Sequence, residues 1–174
     1  MRKLLVLGII NVLVSLGTGL VGPMLSLYYN QITEDVKSVG ILYGTFWFLV
    51  ASIELFLRNY IEKIGYKKVL AFGLLLSAIA DLLYVFSFTF ELLLITEIIA
   101  AIANAFLFIG TYSIASSLSK ERGKNIATID ALANFSYAFA ALFSGFLIAA
   151  FNYEFLFLFS GSLNLLSLFL LAFI

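Results

Sequence analysis

The chain has 174 residues, of which 63% are hydrophobic and 11% charged, a composition far from that of soluble domains and one that belongs in a membrane. It contains neither Cys nor His, which excludes disulfides, thiolate nucleophiles, Cys/His metal centres and a Ser-His dyad, and so argues against an enzyme. Lys plus Arg and Asp plus Glu both number 10, so the balanced charge offers no footprint for nucleic acid, and nothing in the residue set implies a cofactor.

A helix needs about 20 mostly apolar residues to cross the hydrocarbon core. Charged and turn-forming residues cut the sequence into six such stretches, at 4–29, 39–57, 69–88, 92–118, 126–151 and 155–174, which predicts an all-α membrane protein of six transmembrane helices. The first stretch follows Arg2-Lys3 in the manner of a signal peptide, but it runs for about 25 residues without a small-residue cleavage site and reads as a retained span. At 100° per residue, Asn11, Ser15, Thr18 and Gly22 share one of its faces. In the second stretch Glu54 stands four residues before Arg58, the spacing of a structural ion pair.

The third stretch carries Asp81 and is followed after Thr89-Phe90-Glu91 by the fourth, so the two form a tight antiparallel hairpin. Glu97, Asn104 and Thr111 lie on one face of the fourth with Ala101 and Phe108. The fifth repeats that spacing with Asp130, Asn134, Tyr137 and Ser144. Asn152-Tyr153-Glu154 then turns the chain into the sixth, where Ser160, Asn164 and Ser167 align.

Small and hydroxyl residues at such spacing serve as glue between packed helices, which is the reading for the serines, Thr18 and Asn164. Acids are different, because a charge at the bilayer centre is unfavourable by about 2.5–3.5 kcal/mol on insertion scales. Asp130, about one turn inside the fifth helix, is either an interfacial acid favouring a helix N-terminus or part of a solute route. Asp81 and Glu97 fall in the outward halves of their helices with no base nearby in the sequence. They either share a proton, face a watery cavity or contact a cation, and carboxyls so placed suit proton coupling. Asn11, Asp81, Glu97, Asn104, Asp130, Asn134 and Tyr137 are therefore the expected substrate or proton pathway, and the excess of acids favours a cationic or neutral small-molecule solute.

Orientation follows from the basic residues, which short loops keep in the cytoplasm. An internal N-terminus puts Arg2, Lys3, Arg58, Lys63, Lys67, Lys68, Lys120, Arg122 and Lys124 on the cytoplasmic side and leaves only Lys37 outside. The outer loops carry Glu34, Asp35, Glu91 and Glu154 instead. Both termini are then cytoplasmic, and the plasma membrane is the expected location.

The loop from Arg58 to Leu70 resembles the signature loop of the major facilitator superfamily, Gly-x-x-x-Asp-Arg-x-Gly-Arg-Arg. Glu62 stands at its acidic position, Lys63 at the following basic one, Gly65 at the second glycine, and Lys67 and Lys68 in the basic cluster, while Arg58 replaces the first glycine. Gly22-Pro-Met-Leu-Ser-Leu-Tyr28 is similar to the family's Pro-x-x-x-x-Tyr ending of helix one. Lys120-Glu-Arg-Gly-Lys124 is similar to its basic connection between helices four and five, and Ser144-Gly-Phe-Leu with Tyr153-Glu-Phe-Leu-Phe to its passage from five to six. Glu97 stands where the family often has an arginine.

The resemblance implies one half of a twelve-helix secondary transporter, a 3+3 inverted-repeat bundle working by alternating access without covalent chemistry. It also implies a conformational latch in the loop carrying Arg58, Glu62, Lys63, Gly65, Lys67 and Lys68; the alternative is that these charges only satisfy helix ends and hold orientation. The whole chain is expected to be one transmembrane domain with repeat units of about 1–88 and 92–174. An offset of 87 pairs Tyr66 with Tyr153 and Phe72 with Phe159, with ten identities over positions 43–86.

The family's central cavity needs a second six-helix half, either another copy about an axis along the membrane normal or a missing C-terminal half. The ending Ala172-Phe-Ile174 inside an apolar run argues for a fragment of a longer transporter, and the shared sidedness of two six-span copies argues equally for a homodimeric half. The reading from another class is a non-transporting accessory protein whose polar stripes bind a partner's helices.

Overall fold

A computed structural model of the chain describes residues 2–57, 59–118 and 120–174. It contains α1 (Arg2–Thr33), α2 (Val36–Leu57), a four-residue α3 (Ile61–Ile64), α4 (Tyr66–Val85), α5 (Phe90–Ser117), α6 (Arg122–Ala150) and α7 (Tyr153–Leu170), closed by a 3₁₀ turn at Leu171–Phe173. Among the described residues six helices are long and apolar enough to cross a bilayer, all but α3, and none is replaced by a strand.

Most helices extend beyond the apolar stretches expected from the sequence. α1 continues from 29 to Thr33, α2 begins at Val36 rather than 39, α4 at Tyr66 rather than 69, and α6 at Arg122 rather than 126. Hydropathy marks where lipid ends, whereas the helical hydrogen-bond ladder continues into the interface and keeps backbone groups paired. The predicted linkers shrink for the same reason: Thr89 and Asn152 are N-caps. The Thr89 hydroxyl accepts from the Leu92 N–H at 3.4 Å and the Asn152 carbonyl oxygen from the Phe155 N–H at 2.8 Å. Asp35 caps α2 by accepting from the Lys37 and Ser38 N–H groups at 3.1 and 3.2 Å. The Lys37 N–H, with the Ser38 hydroxyl and N–H, holds this carboxyl below its ordinary 3.8.

The helices pack in a pattern that survives an exchange of threes. α1 lies against α6 as α5 lies against α2, α4 lies against α5 as α7 lies against α1, and α4 meets α7 directly. Exchanging α1 with α5, α2 with α6 and α4 with α7 leaves that pattern unchanged, which is the packing of an inverted-repeat bundle. At the α4–α7 crossing the Asn164 amide donates to the Ser77 hydroxyl at 3.1 Å, and these two residues are 87 apart, the same separation as the offset that pairs Tyr66 with Tyr153.

Close backbone approach sets the α4–α5 contact. A Cβ on Gly110 would lie 2.8 Å from the Leu70 nitrogen, and one on Gly73 would lie 2.8 Å from the Leu107 nitrogen. Two apolar clusters fill the ends of the bundle, one around Leu20, Tyr29, Leu42, Leu93 and Leu156, the other around Leu7, Leu70, Leu74, Ile129 and Leu171. Tyr28, from the Pro-x-x-x-x-Tyr stretch, crosses to α4, where its hydroxyl donates to the Tyr84 carbonyl at 2.6 Å and so satisfies a buried phenol.

The basic loop is compact. Glu62 and Lys63 sit in α3, and the Gly65 N–H donates to the Ile61 carbonyl at 2.8 Å. Gly65 has φ +94°, a conformation side-chain-bearing residues rarely adopt. The Lys67 ammonium donates to the Ala172 carbonyl at 3.4 Å, so this loop and the end of the last helix share one end of the bundle. Arg58, and with it the expected Glu54–Arg58 pair and the first position of the signature loop, lies outside the described residues.

Candidate functional site

The six spans surround a cavity of about 390 Å³. All seven residues expected along the pathway, Asn11, Asp81, Glu97, Asn104, Asp130, Asn134 and Tyr137, line it. They arrive from α1, α4, α5 and α6, helices whose polar residues recur every third or fourth position and so point to one side. The loop residues Glu62, Lys63, Gly65, Lys67 and Lys68 are not among its lining.

One wall is an aromatic cluster around a buried acid. Glu97 is 2% exposed, and its Oε1 accepts from the hydroxyls of both Tyr29 and Tyr84. Tyr43 packs edge-on to Tyr29 with centroids 5.6 Å apart, and Tyr84 stacks on Phe157 at 5.0 Å. Among the described residues no ion pair reaches Glu97, and two phenols serve in its place, since hydroxyl donors spread the charge of a carboxylate.

Asp81 has a different set of partners. Its Oδ2 accepts from the Asn164 amide at 2.9 Å, and the buried Ser160 of α7 borders the cavity beside it. Among the described residues no hydrogen bond joins Asp81 to Glu97, the geometry that the first of the sequence alternatives requires; each has its own donors while facing the common cavity.

Asp130 accepts from the Tyr112 hydroxyl at 2.9 Å and the Asn134 amide at 3.2 Å. Because α6 starts at Arg122, Asp130 lies eight residues into the helix, two turns rather than one, and is displaced from the N-terminal N–H groups that an interfacial acid would serve. Ser15 and Thr18, expected as helix glue, also face the cavity, although the Thr18 hydroxyl donates back to the Val14 carbonyl at 3.1 Å. Ser144 and Asn164 are buried between helices, as glue residues are. The Asn104 side-chain oxygen is buried without a hydrogen-bond partner.

Trp47, Phe108 and Tyr112 border both this cavity and a second one, of about 740 Å³, that contains Glu54 and Ser116 between α2 and α5. Phe108 and Tyr112 stack at 6.0 Å and, with Trp47, form an aromatic partition between the two spaces.

The sequence reading found Tyr137 but missed Tyr29, Tyr43, Tyr84, Tyr112 and Ser77. The signal was present: the α1 stripe 11–15–18–22 continues at 25 to Tyr29, and Ser77, Asp81 and Tyr84 recur at the same interval on α4. Counted among the hydrophobic residues, a tyrosine outside an already recognised polar stripe does not show its hydroxyl.

The family model described as Major Facilitator Superfamily matches residues 7–174. The quinolone resistance protein NorA of Staphylococcus aureus is 24% identical over 136 residues, which are 78% of this chain and 33% of that protein. The class H tetracycline resistance protein of Pasteurella multocida is 32% identical over 108 residues, 60% of this chain and 27% of that protein. The matched stretch thus spans about a third or less of each relative's length.

Proposed function

The chain belongs to the Major Facilitator Superfamily, a transporter family of integral membrane proteins, and on that premise we propose that it forms one six-helix half of a secondary transporter. It moves a small solute by alternating access, with the polar cavity as the route and Glu97 as the proton-exchanging group. The observation that carries this reading is the convergence of four polar helix faces, with two buried carboxyls among them, on one cavity inside a six-span bundle.

The solute is an amphipathic, drug-sized molecule of the quinolone or tetracycline kind, cationic or neutral as it enters. Two relatives are named for resistance to those compounds, and the cavity offers aromatic faces together with a few fixed polar groups, the usual lining of a small-molecule site. A second six-helix unit, another copy or a separate half, completes the cavity. The basic end of the bundle faces the cytoplasm, both termini included, and the plasma membrane is the site of action. The exposed charges of the loop carrying Glu62, Lys63, Lys67 and Lys68 act as a latch that opens and re-forms with the cytoplasmic side.

Purified chain reconstituted in vesicles, with its oligomeric state fixed by cross-linking, tests the reading. Saturable movement of a quinolone or tetracycline driven by an imposed pH gradient is the expected result. A cross-linked assembly that moves neither compound faster than protein-free vesicles would overturn it, and would favour an accessory protein.

A further inference from the structure

At the α4–α7 crossing a buried carboxylate sits among neutral oxygens. Asp81 is 8% exposed and, among the described residues, no Lys or Arg forms an ion pair with it. Its neighbours are the Asn164 carboxamide and the hydroxyl of Ser160, and the same carboxamide reaches Ser77. Asn164 is 1% exposed; its amide NH₂ stands between Asp81 Oδ2 at 2.9 Å and Ser77 Oγ at 3.1 Å, while its Oδ1 is buried without any partner.

We propose that Asp81, Ser77, Ser160 and Asn164 form a binding site for a dehydrated monovalent cation of sodium's size. The NH₂ of Asn164 makes the two contacts that such a cation would otherwise make. A half-turn of the carboxamide exchanges its donor for its acceptor and brings the unpartnered Oδ1 beside the carboxylate and Ser77. Without a cation that arrangement sets oxygen against oxygen; with one, every oxygen faces positive charge, the coordination hard cations prefer.

Charge and space narrow the ligand. One carboxylate balances one positive charge, whereas a divalent ion would leave a net charge buried among apolar helices. Organic cations are excluded by packing: a Cβ on Gly17 of α1 would lie 2.7 Å from Ser160 Oγ, and one on Gly161 would lie 3.4 Å from the Asp81 Cβ. Access comes from the cavity, which Ser77, Asp81 and Ser160 all line. Helix glue alone would be served equally by a neutral Asn at position 81, without the cost of a buried charge. The inference depends on the transport reading only in that Asp81 opens on the same cavity, and binding is measurable without transport.

The test is equilibrium binding of radioactive sodium to the purified full chain, with fluorescence of Trp47, the single tryptophan, as a second readout during a sodium titration at constant ionic strength. Saturable binding is expected in the parent and in Ser162→Ala, an exposed α7 position outside the cavity. It should be lost in Asp81→Asn and weakened about tenfold or more in Ser77→Ala and Asn164→Leu. If Asp81→Asn does not fold, the other two variants decide. No saturable binding in the parent, or binding unchanged across the three site variants, overturns the assignment, and a carboxyl that takes only protons gives the first of these. Sodium binding without solute movement would leave this site standing and sink the transport reading; solute movement without sodium binding would do the reverse.

Discussion

Glu97 and Asp35 show how the same chemical group is put to different use by its surroundings. Glu97 is buried, accepts from two tyrosine hydroxyls and faces the cavity, the placement on which its proposed role in proton exchange rests. Glu97→Gln keeps the size and removes the titration. In vesicles it should abolish acceleration by a pH gradient while leaving downhill solute exchange measurable; gradient-driven flux equal to that of the parent would remove Glu97 from coupling. Asp35 is fully exposed and its carboxylate accepts from the first N–H groups of α2, chiefly that of Lys37, which lowers its proton affinity. A group depressed in the folded state contributes stability above its unfolded value and loses it as pH falls toward the folded one. Protection of the Lys37 and Ser38 amides against hydrogen exchange, taken relative to the intrinsic rate at each pH, should therefore fall as pH drops below about 3.8, and Asp35→Asn, which caps without titrating, should flatten that dependence.

Among the elements, α4 and α5 form a close joint, because Gly73 and Gly110 let their backbones meet. In lipid, where apolar side chains gain little by leaving acyl chains for one another, such close packing supplies much of the attraction between helices. Gly110→Leu should separate this pair at a cost of about 1–3 kcal/mol, read as a lower thermal midpoint in detergent. Gly40→Leu, where a Cβ meets nothing within 4 Å, should leave the midpoint unchanged, and equal effects at the two positions would refute the packing argument. The short α3 depends on Gly65, whose positive φ turns the chain between α3 and α4. A Gly65→Ala change strains that turn alone and should alter the loop without loosening the membrane helices.

For the molecule as a whole, the ends of the bundle differ in charge. The basic loop meets the last helical turn through Lys67 and Ala172, and the apolar cluster beneath joins Leu7, Leu70, Ile129 and Leu171, so chain start, both basic loops and last turn gather at one end. A single cysteine at Lys67 should react with impermeant thiol reagent only in inside-out vesicles; labelling from the cell exterior would reverse the proposed orientation. Phe48, Phe56, Phe135, Leu142 and Phe146 are each more than 70% exposed, a surface suited to lipid or to a second six-helix unit.

Six spans, their alternation and the segregation of basic residues were legible because each depends on local composition measured against a fixed bilayer thickness. So were the polar stripes, since helical periodicity places Asn11, Glu97, Asn104 and Asp130 on single faces whatever lies opposite. Helix ends were not, because hydrogen-bond ladders outlast the apolar runs by several residues at Thr33, Tyr66 and Arg122. Nor were the partners of the acids: that two tyrosines hold Glu97 while Asn164 holds Asp81 depends on which helices touch and at what height. Periodicity says which way a side chain faces along its own helix, and only packing between helices decides what it meets there.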